Sequence, residues 1–300
     1  MYSVFGIEPE SVNNWHDLRH ITEKFGFSKG LLIGQYPKKW MKMVIDSSKE
    51  NGVGDIELAK IIEKLQQIKD DRFYKTGLPF SPDKEWIDNI EGDGVIDNFN
   101  SVITKDRNFP PKFYQSDNIE ENVFEDHRET QVERKASCLA GLSSKLLLMS
   151  KTLILIDPYF QPKRKCTSVI DEFLKIKHES GIDFEKIEVF TSYSNYAVSD
   201  EQYIEDYIKE TKLDFDFLVE IIRLDNDLLD FDFHARYLLT DVGGIRYDRG
   251  FVEPLDHAKR DTKTDVACLT NHMYKELVAK YDKDKIERVD SIKINSNEST

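Results

Sequence analysis

The chain has 300 residues, 39% of them apolar and 33% charged, with a formal net charge of −14. Such a composition carries a packed core and suits two modest domains, or one domain with a helical extension. It argues against a chain-wide coat for nucleic acid, which relies on cations that displace counterions from phosphates, and no apolar run approaches the roughly 20 residues of a bilayer span.

The opening "MYSVFGIEPESVNNW" lacks a basic segment followed by an apolar one, so no secretory signal is expected. Helical spacing follows in "PESVNNWHDLRHITEKFGF", where Val12, Trp15, Leu18, Ile21 and Phe25 fall at threes and fours. The same spacing in "YPKKWMKMVIDSSKE" predicts a second helix, and Asp55 is a candidate N-cap for a third, "IELAKIIEKLQQIK". "SPDKEWIDNI" offers Ser81 as a cap, Pro82 at the first helical position and Glu85 to close a capping box. Residues 1–110 are therefore expected to form a helical N-terminal domain. The texture then turns to Gly, Asn, Asp and a Pro pair without steady period, which places a boundary near residue 110.

From 127 to 290 strands and helices alternate. A long helix is expected in "HRETQVERKASCLAGLSSKLLLMS", then the strand "TLILIDPYF", the helix "SVIDEFLKIKHES" and the strand "KIEVFTSY". The helix "DEQYIEDYIKET" and the strand "FLVEIIRL" come next, followed by the strands "HARYLLTD", "GIRYDRGF" and "DVACLT" and the helix "HMYKELVAKY". That order means an α/β sandwich with a mixed sheet. The last residues, "DSIKINSNEST", are expected to fray.

Chemistry concentrates in "FDFHARYLLTDVGGIRYDRGF", residues 231–251. In a strand, His234 and Arg236 leave the same face about 7 Å apart, while Asp241 has the opposite parity and suits a cap on the following turn. An imidazole beside a permanently charged guanidinium suits phosphodiester work. The ring can attack phosphorus, and the fork can hold two nonbridging oxygens. The alternative is a half-buried histidine satisfied by hydrogen bonds. Asp157 and Tyr159 stand at the carboxyl end of the first strand, where α/β sheets place ligands, and Lys163, Arg164 and Lys165 would then follow as phosphate contacts, the alternative being an ordinary basic loop.

The set His234, Arg236 and Asp241 resembles the His-x-Lys-x4-Asp motif of the phospholipase D superfamily. It is most similar to the branch found at the C-terminus of MIT-domain proteins and in bacterial relatives. There, too, the basic residue is Arg, a Gly follows (Gly243 here), and a basic strand ends in Arg-Gly-apolar: Arg246, Arg249, Gly250 and Phe251. "LILIDPYF" also resembles that branch's first strand. The likeness covers roughly residues 127–282. It implies a phospholipase D-like fold, His234 as nucleophile or general acid, Arg236 as phosphate clamp, Asp241 as support, and Arg246 and Arg249 as further phosphate contacts, with no cofactor.

Departures accompany the likeness. Arg236 replaces the usual Lys, the Gly-Ser and downstream Asn or Glu are missing, and one motif copy stands where the chemistry uses two histidines. The tempting second copy, "HAKRDTKTD" with His257 and Lys259, is too polar for a core strand and reads as a solvated loop. A single-copy chain must dimerise across the motif, borrow the second acid from elsewhere or be inactive, and the expectation is a homodimer.

Other candidates are weaker. His16 and His20 in "HDLRH" share a helix face, but Asp17 stands where a zinc protease needs Glu. Asp225, Asp227, Asp230 and Asp232 lack the Gly and terminal Glu of a calcium loop. The basic stretch 28–42, which interleaves Tyr36 and Trp40 with lysines, could form a nucleic-acid or partner surface or a solvated helix face over a buried Trp. Three well-separated cysteines, Cys138, Cys166 and Cys268, make no disulfide framework or zinc site and fit a reducing cytosol. The expectation is thus a metal-independent phosphodiesterase, a nuclease in a bacterial defence setting, with partners recruited through the N-terminal region. The alternative is a module that binds phosphate or another anion without turnover, on nucleic acid, a membrane surface or a protein.

Overall fold

The computed structural model describes all residues except Asp93, residues 125–127 and residues 299–300. Its chain divides into two compact units, Met1–Arg128 and Glu129–Thr300.

The first unit is α/β, which corrects the expectation of a helical domain. Its elements are β1 (Ser3–Ile7), α1 (Trp15–Thr22), β2 (Leu31–Gln35), α2 (Trp40–Glu50), α3 (Asp55–Gln67), β3 (Phe73–Lys75), α4 (Trp86–Glu91), β4 (Ser101–Thr104) and β5 (Phe113–Gln115). The strands form a parallel sheet in the order β3-β2-β1-β4-β5. β1 and β2 are short apolar runs buried along nearly their whole length. A strand covered on both faces shows no alternation, so it has the same apolar texture as the helices around it. β5 belongs to this sheet, so the first unit extends past residue 110.

The expected helices are present, but their starts differ: α1 begins at Trp15, capped by Asn14, and α2 at Trp40. Asp55 is the first residue of α3 and Gly54 its cap. At α4 the capping box from Ser81 does not form, because the Asn89 amide holds Ser81 by its N–H and C=O and the helix begins at Trp86. Trp40 is fully buried, its Nε1 donating to Ile7 O at 2.5 Å, and Tyr36 is equally buried. Neither ring is open to stack a base, so the aromatic half of the stretch 28–42 is core.

The second unit holds β6 (Glu129–Glu133), α5 (Ala136–Met149), β7 (Thr152–Ile156), α6 (Arg164–His178), β8 (Lys186–Ser192), α7 (Asp200–Glu210) and β9 (Leu218–Leu224). It continues with β10 (Tyr237–Thr240), β11 (Gly244–Tyr247), the single turn α8 (His257–Arg260), β12 (Lys263–Cys268), α9 (Asn271–Lys280) and β13 (Asp290–Asn295). They build a mixed eight-stranded sheet, β13-β9-β8-β7-β10-β11-β12-β6, in which β7, β8 and β9 are parallel. The single long helix expected from 127 is instead the edge strand β6 followed by α5; residue 127 itself lies outside the described residues. Residues 290–295 of the expected frayed end instead form β13, where Ile292 and Ile294 alternate with exposed Lys293 and the strand pairs with β9; residues 299–300 lie outside the described residues.

α9 covers one face of this sheet, where Leu277 and Tyr281 pack with Ile156, Phe190, Ile222, Tyr237 and Leu239. Each such fully buried aliphatic side chain contributes about 1.5–3 kcal/mol. α5 lies on the other face and receives the Tyr247 hydroxyl at Leu139 O, 3.0 Å away. Among the described residues no helix is long and apolar enough to cross a membrane.

The C-terminus of α5 is closed by an amine from α6. Lys177 is 3% exposed, and its Nζ donates to Ser150 O at 2.5 Å and to Leu148 O at 3.3 Å. Burial lowers its pKa, yet the carbonyls at the helix end give the charge a complement. Lys177→Met would leave those carbonyls without a donor. Unfolding free energy is expected to fall by about 1–3 kcal/mol in a urea titration, with an unchanged slope.

Candidate functional site

The carboxyl ends of the parallel strands, the start of β10 and the end of β11 meet at one end of the eight-stranded sheet, because Tyr237 pairs with both Ile156 and Arg246. Tight turns deliver side chains there from three separate segments.

β7 is followed directly by Asp157, which is 1% exposed. Its Oδ1 accepts from the Tyr159 N–H at 3.0 Å and its Oδ2 from the Phe251 N–H at 3.1 Å. One carboxylate thus ties the loop after β7 to the loop after β11. Burial pushes its pKa up, and this outweighs the two N–H donors and the nearby Arg236 and Lys165 cations.

The segment 234–236 precedes β10 rather than lying in it, since the strand begins at Tyr237. Its ladder still continues one residue further, with the Tyr247 N–H donating to Arg236 O at 3.0 Å. His234 is exposed, and the Tyr159 hydroxyl lies 2.7 Å from its Nδ1 and 3.2 Å from its Nε2. Arg236 lies over the face of the same Tyr159 ring, 4.7 Å from the centroid. Its Nη1 donates to Asp248 O at 2.8 Å, and its Nε stands 4.0 Å from Asp157 Oδ1. That Nε is buried and has no hydrogen-bond partner among the described residues. His234 and Arg236 therefore converge on one tyrosine, with the guanidinium held from below by a carbonyl and a carboxylate.

Gly250 makes this packing possible. Its φ is +68°, in the left-handed region, and a Cβ there would run into Asp157 Oδ2 and come within 3.1 Å of Arg236 Cγ.

The remaining candidates divide. Lys165 lies close enough to influence Asp157, and its carbonyl accepts from the Glu253 N–H at 2.7 Å. Lys163 places its ammonium 5.3 Å from the Tyr196 ring centroid. Arg164 is engaged elsewhere, donating to Asp171 Oδ2 at 2.6 Å and to Glu210 O at 3.1 Å. Arg246 shares the sheet face of its register partner Tyr237, whereas Arg236, one residue earlier, projects toward Gly250 on the other side. It lines a shallow groove of ≈ 290 Å³ with Glu129, Gln131 and Asp265. Arg249 is exposed on the loop after β11.

Asp241 sits at the far end of β10. Its Oδ1 accepts from the N–H groups of Lys151 and Thr152, at 2.8 and 3.2 Å, and so anchors the start of β7. His257 lies in α8 and is exposed. His16 and His20 have ring centroids 6.3 Å apart on α1, but among the described residues no group of three or more side chains could hold a metal ion.

The Tyr159–His234 contact joins residues 75 positions apart, which spacing alone does not reveal. Gly250 had a signal: a glycine directly after a basic residue, at the end of a strand.

No protein-family model matches the chain, and no curated protein matches it. Among solved structures the chain is similar to TrmBL2, an archaeal chromatin protein whose structure shows a novel mode of DNA binding. The two are 18% identical, with a TM-score of 0.29, and the match covers 56% of this chain and 58% of that one. The chain thus spans little more than half of that protein's length, and a likeness this distant carries no argument about fold or function.

Proposed function

We propose that the second unit is a phospholipase D-like domain that hydrolyses phosphodiesters through His234, with Arg236 holding the phosphoryl group. The observation that supports this reading most is the convergence of His234 and Arg236 on Tyr159, one by hydrogen bond and one across the ring. If Nδ1–H donates to the Tyr159 oxygen, the Nε2 lone pair is left for attack. Attack forms a nitrogen–phosphorus bond and breaks one phosphorus–oxygen ester bond, whose electron pair leaves with the alcohol oxygen and is neutralised by a proton. Water then attacks phosphorus, breaks the bond to nitrogen and restores the imidazole, giving a monoester and an alcohol.

The proton for the leaving oxygen sets the second reading. In-line displacement puts that oxygen opposite the attacking nitrogen, whereas the Tyr159 hydroxyl lies on the imidazole itself. A second chain facing the first across the site could supply the acid. Without it the site is an anion-binding site that holds phosphate and does not turn over. Incubation of the full chain with bis(p-nitrophenyl) phosphate in EDTA separates the two. Nitrophenolate release that rises with the square of protein concentration at low concentration supports hydrolysis by a dimer. Saturable phosphate binding without release leaves the binding reading.

A further inference from the structure

Arg249 is exposed beside the start of β12, where its backbone N–H donates to Thr264 Oγ1 at 3.2 Å. Arg134, just after β6, lies at the same place on the other side: its backbone N–H donates to Arg260 O at 3.0 Å and to Thr262 O at 3.1 Å. The register Lys263–Glu133 puts the end of β6 beside the start of β12, so the two arginines flank one strand end.

Two neighbouring cations, Lys135 and Arg260, are neutralised. Lys135 pairs with Glu133 at 2.7 Å and Asp261 at 2.9 Å, and Arg260 reaches Glu253 at 3.9 Å. Arg134 and Arg249 have no carboxylate within ion-pair distance among the described residues, although acids outnumber bases in this chain by 56 to 42. Burial, and then the charge of Arg249, lower the pKa of Arg134, so the two guanidinia feel each other. Two like charges brought together without a counter-ion cost free energy, which a bound anion would recover.

We infer that Arg134 and Arg249 form a second phosphate subsite beside the Arg236 site, and that the ligand is a strand of single-stranded nucleic acid crossing both. The inference rests on the phosphodiester reading for the first subsite only. Strands lie about 4.8 Å apart, so the step from β10 across β11 and β12 to β6 is roughly 14 Å. One phosphoryl group cannot bridge that distance, whereas consecutive phosphates of one strand can. The row follows a single sheet end, as a backbone-tracking groove does.

The test is anisotropy titration of the full chain with a labelled oligodeoxythymidylate of about twelve nucleotides, at several salt concentrations. Arg249→Ala and Arg134→Gln are each expected to weaken binding about tenfold and to reduce the slope of log affinity against log salt by about 0.7. Arg134→Lys, which keeps the charge, is expected to keep the slope. A mononucleotide, with one phosphate group to place at Arg236, is expected to lose far less affinity. Unchanged oligonucleotide affinity in both Arg249→Ala and Arg134→Gln would overturn the subsite. So would arginine-dependent binding to phosphatidylserine vesicles without oligonucleotide binding. Failure of bis(p-nitrophenyl) phosphate hydrolysis would strike the catalytic reading alone, because the titration does not depend on turnover.

Discussion

His234→Ala is expected to reduce hydrolysis of bis(p-nitrophenyl) phosphate by about 10³-fold or more, since a nucleophile has no substitute within its own site. The same substitution should leave thermal stability nearly unchanged. His234 is exposed and contacts Tyr159 through hydrogen bonds and an edge-on ring packing, so truncation opens no cavity in the core. Tyr159→Phe is the companion variant. It keeps the ring under Arg236 but removes the hydroxyl 2.7 Å from Nδ1, so the imidazole loses its orientation while the guanidinium keeps its platform. The expected pattern is a fall in kcat with a nearly unchanged KM for Tyr159→Phe, and a rise in KM for Arg236→Ala. Were His234→Ala to hydrolyse the ester at the wild-type rate, the imidazole would have no part in the chemistry and the nucleophile assignment would fail. The rate should be compared at equal protein concentration and equal oligomeric state, because a change in association would imitate a loss of chemistry.

Which parts of this arrangement sequence alone could supply follows from the range of each interaction. α3 and α6 are legible because their apolar positions repeat along one face, and repetition within a helix is a local property. "TLILI", "KIEVFTS" and "LVEIIRL" are legible as strands because each is bounded by turn residues. β1 and β2 are not, because five buried residues carry no period. β6 is hidden for the opposite reason: "ETQVE" is a polar edge strand, and its helix-friendly composition runs straight into α5. β13 carries a local signal as well, since "DSIKIN" alternates as strands do. At the site, the pairing of His234 with Arg236 was local and so readable. Tyr159, Asp157 and Gly250 could be named one by one, but the contacts that join Tyr159 to His234, Gly250 to Asp157 and Arg134 to the start of β12 each span 75 or more residues. Arg246 entered through the resemblance, and only the register shows that it takes the sheet face opposite Arg236, because a strand tells which residues share a face, not which end of which loop folds over it.

Gly250→Ala carries the largest expected effect on folding. The added methyl meets two costs at once. A residue with a Cβ at φ +68° loses about 1 kcal/mol relative to glycine. The methyl also enters the space of Asp157 Oδ2, which cannot swing aside cheaply: the side chain is short, 1% exposed and held by two backbone N–H groups. Displacing it breaks the bond to the Phe251 N–H inside the protein, where an unpaired donor costs about 1–3 kcal/mol. The sum is about 2–4 kcal/mol, measurable as a lower urea midpoint with an unchanged slope. Function should suffer as well, because Arg236 Cγ lies 3.1 Å from the same methyl position and Asp157 Oδ1 positions the Tyr159 N–H. Phosphate affinity is therefore expected to fall even well below the melting transition. Asp157→Asn distinguishes the two contributions. The amide can still accept one of the two N–H donors, but it gives up the charge opposite Arg236 Nε and turns an NH2 toward the second donor. If Gly250→Ala kept both the stability and the phosphate affinity of the parent, the carboxylate would not be the tie between the two loops, and the placement of Arg236 would need another cause.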